Sequence, residues 1–88
     1  MKLTIKKTTE EEVEITLPAY YKTNIHYFKV FSEKYCICVT DMNEHYDVGI
    51  KHAELPFNAD AIICTKEDFE KAYNEVSLKL NKIYESNN

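Results

Sequence analysis

Three runs rich in β-branched and aromatic residues, Ile25 to Phe31, Tyr35 to Thr40 and His45 to Lys51, constrain this chain more than any other feature. Such residues fit a pleated, half-buried surface. The polar links Ser32-Glu33-Lys34 and Asp41-Met42-Asn43-Glu44 are short enough to be hairpin turns. The three runs therefore predict an antiparallel meander. A tight turn centred on Glu33 places Tyr35 opposite Phe31, Ile37 opposite Lys29 and Val39 opposite Tyr27. The next turn is expected to set Tyr46 opposite Val39 and Val48 opposite Ile37. One face then carries Tyr27, Phe31, Tyr35, Ile37, Val39, Tyr46, Val48 and Ile50, and is expected to be the core. Because side chains alternate along a strand, a slip of one residue would exchange the two faces.

Two shorter strands precede the meander. Leu3 and Ile5 alternate with Lys2, Thr4 and Lys6, and Val13, Ile15 and Leu17 alternate with Glu14 and Thr16. The polar stretch Lys7 to Glu11 would join them as a hairpin, and Pro18, which has no N–H to give a ladder, would end the second strand. The segment from Pro18 to Asn24 reads as an aromatic connection, with Tyr20 and Tyr21 capping an edge of the core. His52 to Asn58, which contains Pro56, reads as a loop. Ala61 to Cys64 reads as a short buried strand or a strand-like lead-in to a helix.

That helix is expected over about residues 66–84. Thr65 is the N-cap, Glu67 and Asp68 sit where the helix dipole favours acids, and Asp68 stands where a capping box has Glu. Phe69, Ala72, Tyr73, Val76, Leu80 and Ile83 fall on one stripe at helical spacing. Glu67–Lys71 and Glu75–Lys79 are spaced to pair along the solvated flanks. Leu78 points away from the stripe. Residues 85–88 are expected to fray. The expected architecture is α+β, a single domain over residues 1–88. About five short antiparallel strands lie within 2–63, with the meander at their centre, packed against one C-terminal amphipathic helix.

Composition limits function. The net charge is −4 and all 11 basic residues are Lys. Arginine is the usual reader of phosphates and guanine edges, so a large nucleic-acid surface is disfavoured. Three Cys cannot all pair within one chain, which suits reduced thiols and a cytoplasmic setting. Neither a leader-like apolar stretch nor a membrane-length run is present. The single Gly, Gly49, cannot cradle a phosphate alone, and inside a strand it marks a bulge or a close approach of backbone. Residue usage rich in Lys, Asn, Ile and Tyr suggests an AT-rich bacterial or phage gene.

The second face of the meander carries His26, Phe28, Val30, Cys36, Cys38, Thr40, His45, Asp47, Gly49 and Lys51. An enzymatic reading makes Cys38 a nucleophile, His45 its base and Asp47 an orienting group. It lacks an oxyanion hole, and small thiols packing as hydrophobes account for the cysteines as well. A metal would have to draw on Cys36, Cys38, His26, His45, His52 and Cys64, whose C-x-C spacing is not that of a zinc site. Single-stranded nucleic acid could stack on Tyr27, Phe28, Tyr35 or Tyr46 beside lysines. The acidic run Glu10-Glu11-Glu12 is a solvated turn more readily than a nucleic-acid mimic.

These considerations favour a small non-enzymatic binding or accessory protein without a cofactor, acting through protein–protein interaction or self-association, a homodimer above all. The alternative is a weak single-stranded nucleic-acid binder. The expected interaction surface comprises His26, Phe28, Val30, Cys36, Cys38, His45, Asp47, Lys51 and Leu78, on the premise that one helix cannot cover both sheet faces.

Overall fold

The computed structural model describes residues 2–6, 12–42 and 45–86. The first two strands, β1 (Lys2–Lys6) and β2 (Glu12–Thr16), form an antiparallel hairpin with Leu3 opposite Ile15 and Ile5 opposite Val13. The expected linker, residues 7–11, lies outside the described residues. A separate five-stranded antiparallel sheet contains β3 (Ala19–Lys22), β4 (His26–Val30), β5 (Tyr35–Met42), β6 (His45–His52) and β7 (Ile62–Ile63). Its order is β6-β5-β4-β3-β7. The meander is β4-β5-β6, as its sequence implies.

Lys29 faces Ile37 and Tyr27 faces Val39, the register expected for the first turn. The second turn is displaced by two residues: Val48 faces Val39, Ile50 faces Ile37 and Tyr46 faces Asp41. The ladder continues to Met42 and His45, further than the polar residues at 41–44 suggested. A two-residue shift preserves the faces, so the partition into two sides stands. The ladder runs through Gly49 opposite Cys38 without a bulge.

The segment after Pro18 corrects the sequence reading. Ala19–Lys22 is an internal strand, paired with β4 on one side and with β7 on the other. Tyr20 and Tyr21 point to opposite faces. Tyr20 packs near Phe69 at 5.7 Å between ring centroids, and Tyr21 meets Phe57 edge-on at 5.1 Å. The expected loop at 52–58 contains a single helical turn, α1 (Leu55–Asn58), with Pro56 and Phe57 buried. Ile62 and Ile63 do form a strand, but both side chains are exposed rather than buried.

The C-terminal helix, α2 (Lys66–Ser86), begins at a closed capping box. The Asp68 N–H donates to Thr65 Oγ1 at 3.0 Å, and the Thr65 N–H donates to Asp68 Oδ2 at 3.4 Å. The shorter Asp therefore performs the reciprocal role that Glu usually fills. Thr65→Ala is expected to lower stability by about 1 kcal/mol, measured by urea unfolding. An unchanged midpoint would show that the cap contributes nothing.

Phe69, Ala72 and Val76 are buried, while Tyr73 and Ile83 at the edges of the stripe remain exposed. The flank pairs differ from those expected. Lys66 lies 3.8 Å from Glu70, and Lys79 turns to the sheet, 3.7 Å from Asp41 and over the Tyr46 ring at 4.9 Å. Helix α2 is therefore anchored over β3 at its start, through Phe69 and Tyr20, and over the β5–β6 end at Lys79. It crosses the sheet diagonally. No helix among the described residues is long and apolar enough to cross a membrane.

Candidate interaction surface

The apolar centre of the face expected to meet a partner is core. Phe28, Val30 and Cys36 have no exposed surface, and Cys38 has 4%. They cluster with Ile15 of β2, Tyr21 of β3, Ala53 and Phe57, and Leu17, Ala19, Leu55 and Ala61 pack around them. The segments that flank the meander in sequence fold back and seal this side. The premise that it lies open is thereby overturned, and these four residues are not available to a partner.

The remaining members of the expected surface lie at its rim. His26 is half-buried, His45, Asp47 and Lys51 are exposed, and Leu78 stands exposed on the outer side of α2. Cys38 faces Gly49, and Thr40, rather than Cys38, faces Asp47. His45 faces Met42 at the far end of the ladder, so it does not reach Cys38 as the nucleophile-and-base reading required.

His26 takes that neighbouring place instead. Its Nδ1 shares a 2.9 Å hydrogen bond with Thr40 Oγ1 and lies 3.7 Å from Cys38 Sγ. Burial pushes the Cys38 thiol up, and Asp47 adds to this. The Thr40 hydrogen bond and Lys51 oppose the rise without cancelling it. A reactive cysteine needs the opposite environment, one that favours thiolate. Cys36 is pushed up to about 12 by burial, then by Cys38, and its Sγ donates to the His52 carbonyl at 3.4 Å. The pattern is that of thiols used as small apolar side chains. Among the described residues no group of three or more His, Cys, Asp or Glu side chains is placed to hold a metal ion.

Exposed apolar surface occurs on the face assigned to the core. Helix α2 packs on Tyr20, Tyr27, Ile37, Val39, Tyr46 and Val48. It leaves the corner beyond Ile37 uncovered, where Ile50 is 59% exposed, Tyr35 46% and Phe31 41%. The Tyr35 ring stacks on His52 at 6.4 Å. Beside this corner a cleft of about 430 Å³ opens between α2 and the sheet, lined by Lys29, Ile37, Phe69, Glu70, Tyr73 and Asn74. A helix is about 10–12 Å across, and five strands at about 4.8 Å spacing are about 20 Å wide. A single diagonal crossing must leave a corner bare. That geometric signal was available in the sequence, in the ratio of one helix to five strands. Which corner stays open depends on where the helix begins.

No family model, curated protein or solved structure matches the chain.

Proposed function

We propose that this chain is a small non-enzymatic binding or accessory protein, working in the cytoplasm through protein–protein contact or self-association. The observation that carries the reading is the bare corner of the helix-side face, with Ile50, Tyr35 and Phe31 in solvent next to a cleft of mixed apolar and polar lining. Scattered exposed apolar side chains are ordinary, whereas apolar side chains exposed side by side on neighbouring strands mark a contact surface. The three free cysteines suit a reducing compartment.

The nucleic-acid alternative has less support. Of the four rings suited to stacking, Phe28 is buried, while Tyr27 and Tyr46 lie against α2. Only Tyr35 faces solvent, and it is stacked on His52.

The test is to replace Ile50 by the photo-crosslinking residue benzoylphenylalanine and irradiate the protein in its native cells. The expected outcome is one adduct of defined mass. The same replacement at exposed Glu67, in the first turn of α2, should give none. Identical yields at both positions, or none at either, would remove the corner from consideration as a contact surface.

A further inference from the structure

The two edges of the sheet differ. β7 is only two residues long, and very short edge strands are one way proteins avoid unwanted pairing. β6 is eight residues long and contains neither Pro nor a bulge. Among the described residues no strand pairs with its outer side. Its outward hydrogen-bonding groups follow from two observed bonds. The Ala53 N–H donates to the Lys34 carbonyl at 2.9 Å, and the Asp41 N–H donates to the Ile25 carbonyl at 2.9 Å. Odd-numbered residues of β6 therefore direct their backbone groups towards β5. Alternation then turns the N–H and C=O of Tyr46, Val48 and Ile50 outward.

We propose that two copies of this chain pair through β6, antiparallel about a two-fold axis at Gly49, so that their sheets become continuous. This deepens the self-association reading and rests on it. Charge selects the register. With Gly49 facing the partner's Gly49, Asp47 faces the partner's Lys51 and Lys51 faces the partner's Asp47, giving two opposite-charge pairs on one face. On the other face Val48 meets the partner's Ile50, and Ile50 the partner's Val48. The outward backbone groups of Val48 and Ile50 are those that bond in this register. Centring the axis one residue earlier, on Val48, sets Asp47 against Gly49 and His45 against Lys51, which discards both charge pairs. A charge on an edge strand ordinarily discourages pairing. Here the charges stand at two-fold-related positions with opposite signs, so the edge attracts its own copy.

Gly49 acquires a role in this arrangement. Its φ is not positive and the ladder around it is regular, so the fold does not require glycine there. A Cβ at Gly49 would meet only Asp47 Oδ2 at 3.8 Å and Lys51 Cε at 4.0 Å, both ordinary contacts. At the axis, however, directly opposed residues of a non-hydrogen-bonded pair approach to about 4.5 Å between Cα atoms. The bare corner is also accounted for. The axis brings the partner's Ile50 and Tyr35 alongside the β6 end over which α2 passes at Lys79. The exposed last turns of each helix, including Ile83 and Tyr84, then continue towards the corner that the other copy's helix leaves open.

Light scattering and sedimentation velocity from micromolar to millimolar protein test the pairing. The wild-type chain is expected to reach twice its monomer mass. D47K and K51D, each placing like charges across the axis, should raise the dissociation constant at least about tenfold. The double variant D47K/K51D should return it to within about threefold of wild type. Gly49→Lys, whose Cβ the monomer accommodates, should be monomeric with an unchanged circular dichroism spectrum. A wild-type chain that stays at monomer mass throughout overturns the dimer. A dimer indifferent to Gly49→Lys and to both single swaps overturns the β6 register. A defined adduct with a different protein at position 50 would leave the broader binding reading standing in either event.

Discussion

Phe28→Ala is expected to lower unfolding stability by about 3–5 kcal/mol, a large share of the total for a chain of this size. Phe28 is fully buried, faces Tyr21 on one neighbouring strand and Cys38 on the other, and packs within the cluster closed by Ile15 and Phe57. Removing a buried ring loses its transfer free energy and leaves a cavity that the sheet cannot collapse to fill. A chain of this size has a total stability of only about 4–13 kcal/mol at about 0.05–0.15 kcal/mol per residue. Leu78→Ala, at a side chain that is 62% exposed on the outer side of α2, is the matched control and should stay within about 1 kcal/mol of wild type. Urea unfolding followed by circular dichroism compares the two. Equal, small losses for both would mean that the second face is not sealed as described.

Stability should also fall in alkali, and Cys36 should carry a separable share of that fall. Its thiol is pushed up from 9.0 to about 12 by burial, with Cys38 adding to the effect. The unfolded chain releases this proton first. The stabilisation is therefore complete below the unfolded value and is lost as pH rises from 9.0 towards about 12. At about 1.36 kcal/mol per pKa unit, unfolding should become easier by about 2 kcal/mol between about pH 7.5 and about pH 10.5 through this group alone. Local opening that admits water would reduce that figure, not reverse its sign. Burial also raises Cys38 and Tyr21, so the wild-type slope should be steeper than Cys36 alone gives. Cys36→Ala isolates the contribution. Its baseline stability will differ, but its slope from about pH 7.5 to about pH 10.5 should be shallower by about 2 kcal/mol. Parallel pH curves for the two proteins would rule out a sealed thiol at position 36.

Both predictions concern residues that the sequence assigned to an open surface. In the sequence, Phe28, Val30, Cys36 and Cys38 alternate with Tyr27, Lys29, Ile37 and Val39, and that alternation correctly separated two faces. It contained no information about what lies above either one. Ile15 comes from a hairpin whose strands the sequence placed with those of the meander, but which belongs to a separate two-stranded sheet. Phe57 comes from a single helical turn, too short to express a 3.6-residue period. Ala19–Lys22 went unrecognised for a similar reason. Two adjacent tyrosines after a proline resemble a connection until both neighbouring strands are in place, and one of those is the distant two-residue β7.

The elements that were legible are those whose stabilisation is local. The first hairpin of the meander follows from a short turn, the α2 stripe from helical spacing, and its start from Thr65 and Asp68, which bond to each other three residues apart. The two-residue displacement of β6 marks the limit of such reasoning. A ladder extends as far as its backbone bonds and cross-strand contacts continue to favour it, and polar residues at its end do not stop it. The amino-acid order thus determined the N-terminal hairpin, the strands of the meander, the helix and the division of the meander into two sides, because each depends on neighbours a few residues apart. Only the folded chain decided that the side holding Phe28 is closed and the corner holding Ile50 is bare, because burial is settled by segments far apart in sequence and by the one diagonal that α2 takes across the sheet.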